Sequence, residues 1–312
     1  MRESYKYMLA AAIFVCSLLG ATDNGIRSAF SYELIDQDGF VHSIDRPFQR
    51  IISLYPAHTE NLVEMGAQDS LIGIFSGDNF PDSILDKPRF SYHDSIEKFI
   101  SAQPDCILIR PMIRRSAQNL VDKLQQYGIT VISLQPTTVD ELYAYWNHLG
   151  IISGKDGNAS AMTQSFKKRL DAITSQVNTI PAADRPVVYF QAIHSRMKTF
   201  SPHSIAIFCL EAAGGINIAT DAVPRRNSNI AGYSKERILS HAKDIDFFLA
   251  QSGRMNSISV GEIVKEPGFG AIKAVKNNRV YLVDEHLVSR PTTRLLDGIT
   301  FINGLLYNNL QS

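Results

Sequence analysis

A chain of 312 residues is longer than one hydrophobic core usually serves, so about two domains are expected. Hydrophobic residues make up 45% and charged residues 20%, which excludes a disordered or collagen-like chain. Lys plus Arg, at 31, balances Asp plus Glu, also 31. The basic excess or stripe of a nucleic-acid binder is missing, so no nucleic-acid partner is expected. Three cysteines are too few for a disulfide scaffold.

Residues 1–21 read as a signal peptide. Arg2 and Lys6 precede an unbroken apolar run over 8–19, and Gly20-Ala21-Thr22 supplies small residues at its exit. The run is shorter than the roughly 20 residues that span a bilayer. Secretion across an inner membrane into a periplasm is the expectation. The alternatives are an anchor formed by an uncleaved leader, or by a lipidated Cys16. The other two cysteines, Cys106 and Cys209, read as small buried hydrophobes.

From there strands and helices alternate, twice. Short β-branched runs at 51–54, 71–75, 105–109 and 130–134 read as strands. Helical stretches at 56–66, 96–102 and 117–127 lie between them. Residues 139–177 are mostly helical, with Met162, Phe166, Leu170 and Ile173 on one stripe. Alternation then restarts. Strands are expected at 187–190, 245–250 and 279–283, and helices at 204–213, 235–240, 269–276 and 293–308. The fold class is therefore α/β: two lobes with mainly parallel sheets, joined by one long connecting helix. The expected boundaries are 22–152 for the N-terminal lobe, 153–180 for the connecting helix and 181–312 for the C-terminal lobe.

Open parallel sheets bind ligands outside the carboxyl ends of their strands. Tyr55, Arg110, Gln191, Arg254 and Arg290 follow strands or lie in the loops where a cleft between the lobes should open. Arg225 and Arg226 belong to the same set, and guanidinium forks suit carboxylate- or catecholate-bearing ligands. Pro56 starts a helix whose free N–H groups would face the cleft beside Tyr55 and His58, although His58 reads equally as helix surface. Tyr92, Tyr233 and Phe80 either stack on a planar ligand or cap the cores. His194 and His203 flank a loop, where a histidine is either a ligand to iron or cobalt or plain polar surface. There is no phosphate loop, no G-x-S-x-G, no H-E-x-x-H and no cysteine pair at metal spacing. The expectation is a binding protein and not an enzyme, with no catalytic residue, no metal site and no cofactor of its own. A secreted α/β enzyme using the same cleft is the alternative.

A resemblance accompanies this reading. Arg50-Ile-Ile-Ser-Leu-Tyr-Pro56-Ala-His-Thr59-Glu60 resembles the opening signature of periplasmic substrate-binding proteins for iron chelates and cobalamin, the receptors of ABC importers. Ser95-Ile-Glu97-Lys, Leu210-Glu-Ala-Ala-Gly214-Gly215, Tyr233-Ser-Lys-Glu236-Arg and Ala274-Val-Lys276-Asn-Asn-Arg279 match in the same order. It implies a metal chelate held in the inter-lobe cleft, ferric siderophore first, then corrinoid or haem. It also implies an ABC permease as partner, with Glu97 and Glu236 docking on it. The stretch Lys198-Thr-Phe-Ser201-Pro-His203 departs from the glycine-containing loop typical of the family.

Overall fold

A computed structural model describes residues 31–224 and 228–307. The leader and Cys16 lie outside them. Two short strands, β1 (Tyr32–Ile35) and β2 (Val41–Ile44), pair as an antiparallel hairpin that opens the first lobe. Then follow β3 (Ile51–Ser53), α1 (Pro56–Glu64), β4 (Leu71–Phe75), β5 (Arg89–Phe90), α2 (Ile96–Ala102), β6 (Cys106–Ile109), α3 (Pro111–Ser116), α4 (Gln118–Gln126) and β7 (Thr130–Ser133). The sheet order is β5-β4-β3-β6-β7, and all its pairs are parallel. Its central strands β3 and β6 are buried along their whole length. That is why they read as unbroken apolar runs and do not alternate.

Two helices lead to the second lobe. Helix α5 (Val139–Ser153) starts at Thr138, whose side chain accepts the Glu141 N–H, and stops at Gly154 with φ 68°. Helix α6 (Asp156–Val177) has 22 residues and so extends about 33 Å. Ala159, Met162 and Phe166 form its buried stripe. Gly150 of α5 lets the two helices meet closely: a methyl group there would sit 2.5 Å from the Ala159 Cβ.

The second lobe runs β8 (Val187–Ile193), β9 (Lys198–Phe200), α7 (Ile205–Ala212), β10 (Ile216–Asn217), β11 (Ile230–Gly232), α8 (Lys235–Ser240), β12 (Phe247–Ser252), α9 (Val260–Lys265), α10 (Lys273–Lys276), β13 (Val280–Asp284), α11 (Glu285–Val288) and α12 (Leu295–Tyr307). Its sheet order is β11-β9-β8-β12-β13, with β10 added to β8. The β8, β12 and β13 pairs are parallel, and β9 and β11 join in antiparallel fashion. Cys106 and Cys209 are free, buried thiols, and burial pushes both pKa values up.

The lobes share a core. One hydrophobic cluster takes in Leu62 and Trp146 from the first lobe and its following helix, Phe166 from α6, and Phe190, Leu249 and Ile299 from the second lobe. Each lobe keeps a second cluster on its outer sheet face. No proline or glycine interrupts α6 between Asn158 and Val177. A continuous helix backed by a shared core resists bending. Small-angle scattering with and without bound ligand is therefore expected to give the same radius of gyration within error. A fall of several ångströms would contradict the rigid connector.

Candidate functional site

Neighbouring strands of each sheet end side by side and point their carboxyl ends at the other lobe. On the first lobe β4, β3 and β6 deliver Ser76–Asp78, Tyr55 and Arg110. On the second, β8, β12 and β13 deliver Gln191–His194, Gly253–Arg254 and Glu285. A register irregularity between Gln191 and Ile193 bends β8 just where it reaches the cleft.

Tyr55 is the N-cap residue of α1, 7% exposed, and Arg110 is the N-cap residue of α3. The Arg110 guanidinium lies over the Tyr55 ring, 5.0 Å from its centroid. From the opposite lobe, exposed Arg254 reaches towards Gly77, where an added methyl group would lie 3.4 Å from its Nη1.

Asp78 is 4% exposed. Its Oδ2 accepts hydrogen bonds from the Thr59 hydroxyl at 2.7 Å and the Phe75 N–H at 3.1 Å, whereas Oδ1 has no partner. Burial pushes its pKa up to about 6, against the pull of those two donors and of Arg290. Nothing in the apolar periodicity singled out Asp78, but its place just past the end of β4 was a usable signal.

Other sequence-based expectations need correction. His58 is not cleft or helix surface. It is fully buried, with Nε2 donating to the Ile109 carbonyl at 3.0 Å and Nδ1 accepting from the Tyr145 hydroxyl at 2.8 Å. Burial pushes its pKa down to about 4, so the ring is neutral near pH 7 and both nitrogens are used. Arg290 is not a free anion clamp, because its Nη1 donates to Glu60 Oε1 across the lobes at 2.7 Å. Arg294 lies 3.5 Å from the other oxygen of Glu60 and covers the Phe80 ring at 4.5 Å. Tyr233 is 1% exposed and packs on Tyr189 with ring centroids 5.8 Å apart, so it caps a core. Tyr92 is half-buried and stacks on Phe75.

Gln191 is also buried. Its Oε1 accepts from His194 Nδ1 at 2.9 Å, while its Nε2 has no partner. His194 Nε2 lies 3.4 Å from Glu266, which also pairs with Lys235. His203 lines a separate inter-lobe groove of about 320 Å³ with Thr138, Asp140, Ser204 and Glu211. Arg225 and Arg226 lie outside the described residues. Among the described residues no group of three or more His, Cys, Asp or Glu side chains has the geometry to hold a metal ion.

Glu97 and Glu236 occupy matching places, one on each lobe. Each is the second residue of a short helix begun by a serine, Ser95 for α2 and Ser234 for α8, and each is exposed. The Glu97 carboxyl is held below its ordinary range first by its own backbone N–H, that of Glu236 first by the Ser234 hydroxyl. Both therefore stay ionised at neutral pH.

Two parallel-sheet lobes, a continuous connecting helix and a cleft at the strand ends define a periplasmic binding protein. The family model described as "Periplasmic binding protein" matches residues 51–287, and the chain belongs to that family. Over 278 residues it is 23% identical to an uncharacterized ABC transporter substrate-binding lipoprotein of Bacillus subtilis, covering 85% of this chain and 82% of the other. It is 26% identical over 261 residues to a vitamin B12-binding protein of Vibrio cholerae, covering 81% and 87%. The crystal structure of a possible iron-binding (periplasmic solute-binding) protein from Staphylococcus epidermidis superposes with a TM-score of 0.72 at 26% identity, covering 84% and 100%. No helix among the described residues is long and apolar enough to cross a membrane.

Proposed function

We propose that the protein is the extracytoplasmic receptor of an ABC importer, working in the periplasm. It captures a metal chelate between its lobes and hands it to the permease. Ferric siderophore is the first choice of cargo, ahead of corrinoid or haem. The observation that carries the reading is the convergence of Tyr55, Arg110 and Arg254 from the strand ends of both lobes on one cleft. The relatives named for vitamin B12 and for ABC substrate binding support the class. The chelate is cargo and not a resident cofactor. Protein purified from its native cells is expected to carry a coloured ligand, whose absorption spectrum separates ferric chelate, corrinoid and haem. A colourless preparation that converts a substrate would refute the reading.

Docking is proposed to run through Glu97 and Glu236. Exposed, ionised and equivalently placed on the two lobes, they suit a permease surface that offers one basic site to each lobe. Neither contributes to a core, so Glu97→Ala and Glu236→Ala should leave the melting temperature and ligand affinity unchanged. Each should slow uptake into liposomes that hold the transporter, with the double variant slower and double reversal to arginine slowest. Normal transport by the double alanine variant would reject the assignment.

A further inference from the structure

We infer that the groove between α1, α6 and α12 is a second small-molecule site, one that takes an organic ammonium with a short apolar body. Its volume is about 330 Å³, the space of roughly ten waters. It lies away from the cleft. Tyr55 caps the cleft end of α1, and Glu64 is the last residue of that nine-residue helix, about 13 Å further along. The groove therefore sits where the first lobe, the connecting helix and the second lobe meet. The inference does not depend on what the cleft binds.

One stripe of α6 makes a wall of the groove. Asn158, Ala161, Ser165 and Arg169 recur at helical spacing, beside the stripe that packs on α5. Ala161 and Ser165 are small, so the space next to them stays open. Met162, Phe166 and Leu296 give the groove an apolar base, and all three are buried. A short hydrocarbon body would displace water from that base.

The polar groups around the base are set to accept. Glu64 Oε2 takes the Thr293 hydroxyl at 2.6 Å, and no ion pair among the described residues engages this carboxylate. Asn158 Nδ2 donates to the Met65 carbonyl at 2.7 Å, which leaves its Oδ1 as an acceptor at the groove. The first N–H groups of α12 are spent on the carbonyls of Thr292, Thr293 and Arg294, so they offer an anion nothing. Arg169 is the cation that lines the groove, and it faces Asp297 at 3.8 Å. Burial pushes the Glu64 carboxyl up, while the Thr293 hydroxyl and Arg169 pull it down. An ammonium brings three N–H donors and the charge that Glu64 lacks, and the C-terminal end of α1 favours a cation there. An anion would meet Glu64 and Asp297 instead.

The test titrates the whole protein near neutral pH with three probes of one carbon skeleton: isoamylamine, isoamyl alcohol and isovalerate. Calorimetry reads binding directly. Fluorescence reads its place, because Trp146 is the chain's only tryptophan and meets Phe166 of the groove edge-on at 5.0 Å. The amine is expected to bind at least about tenfold more tightly than the alcohol, isovalerate most weakly, and the amine's affinity should fall as salt rises. Because the amine touches all three bodies, it should also raise the melting temperature. Glu64→Gln should bring the amine down to the affinity of the alcohol and leave the alcohol unchanged. Ser165→Leu, on an exposed position of α6, should fill the groove and weaken both by about tenfold or more. The melting temperature without ligand reports that each variant is folded. An amine that binds no better than the alcohol, or not at all, overturns the site. So does tightest binding by isovalerate, or amine binding that survives both substitutions.

Discussion

Trp146→Ala is expected to lower the unfolding free energy by about 3–5 kcal/mol. Trp146 is fully buried in α5 and meets Phe166 of α6 edge-on at 5.0 Å. Its Nε1–H donates to the Pro291 carbonyl of the second lobe at 3.2 Å. Truncation empties the middle of the shared core, where no side chain can move in without disturbing two helices. Trp146→Phe keeps much of the volume and removes the indole hydrogen bond. The Pro291 carbonyl still accepts from Asn61 Nδ2 at 2.9 Å, so this variant should lose only about 1–2 kcal/mol. Urea unfolding followed by circular dichroism measures both. A loss under about 1 kcal/mol for the alanine variant would show that the joint between the lobes is not tightly packed.

Acid stability carries two opposed terms in one window. His58 titrates near 4 in the folded chain against an ordinary 6.5, because burial disfavours its charge. Below pH 6.5 the unfolded chain binds the proton and the folded chain does not, so this term removes about 3 kcal/mol of stability as pH falls to 4. Asp78 does the reverse. Its folded value of about 6 lies above the ordinary 3.8, so its contribution is complete below 3.8 and is lost as pH rises through 6. That loss is also about 3 kcal/mol, and the two terms nearly cancel between pH 4 and 6. Asp78→Asn should therefore unmask a stability that falls on acidification, and His58→Gln one that rises. The decisive quantity is the difference between the Asp78→Asn and wild-type stabilities across that range. If it does not change with pH, the assignment to Asp78 is wrong.

The alternation of β3, α1, β4, β6 and β7, the long helix and the second parallel set were legible because each strand carries a compact apolar run and each helix its own apolar spacing. Short strands at or beside the sheet edges were not. Strands β5, β9, β10 and β11 have two or three residues each and owe their state to sheet partners. The hairpin at 32–44 was also missed. Its outward residues Ile35 and Val41 are exposed, so its apolar pattern does not mark a buried face.

In α1 the reading of His58 as cleft or helix surface failed for a tertiary reason. Ala57 to Leu62 are all buried, because α5 covers one side and the 289–294 segment the other. That cover turned His58 from surface to core and claimed Arg290 for Glu60. No local pattern encodes a partner 230 positions away. Strand ends, by contrast, are local, and the rule that ligands sit beyond them led from the sequence to Tyr55, Arg110 and Arg254, which the structure also sets at strand ends.

The clip between Glu60–Asn61 and Arg290–Pro291 also sets an order of assembly. Each bond closes a loop of 230 residues, the slowest kind of contact for a chain to find. The first lobe can collapse around its outer cluster of Ile52, Phe99 and Val131 using only early residues. Its helix α1 nevertheless keeps an open face, with Glu60 and Asn61 bare, until almost the whole chain has been made. A chain released or cut before residue 290 would therefore hold a half-built first lobe. Completion of the first lobe depends on the arrival of the segment around Arg290–Pro291, which belongs to the other lobe.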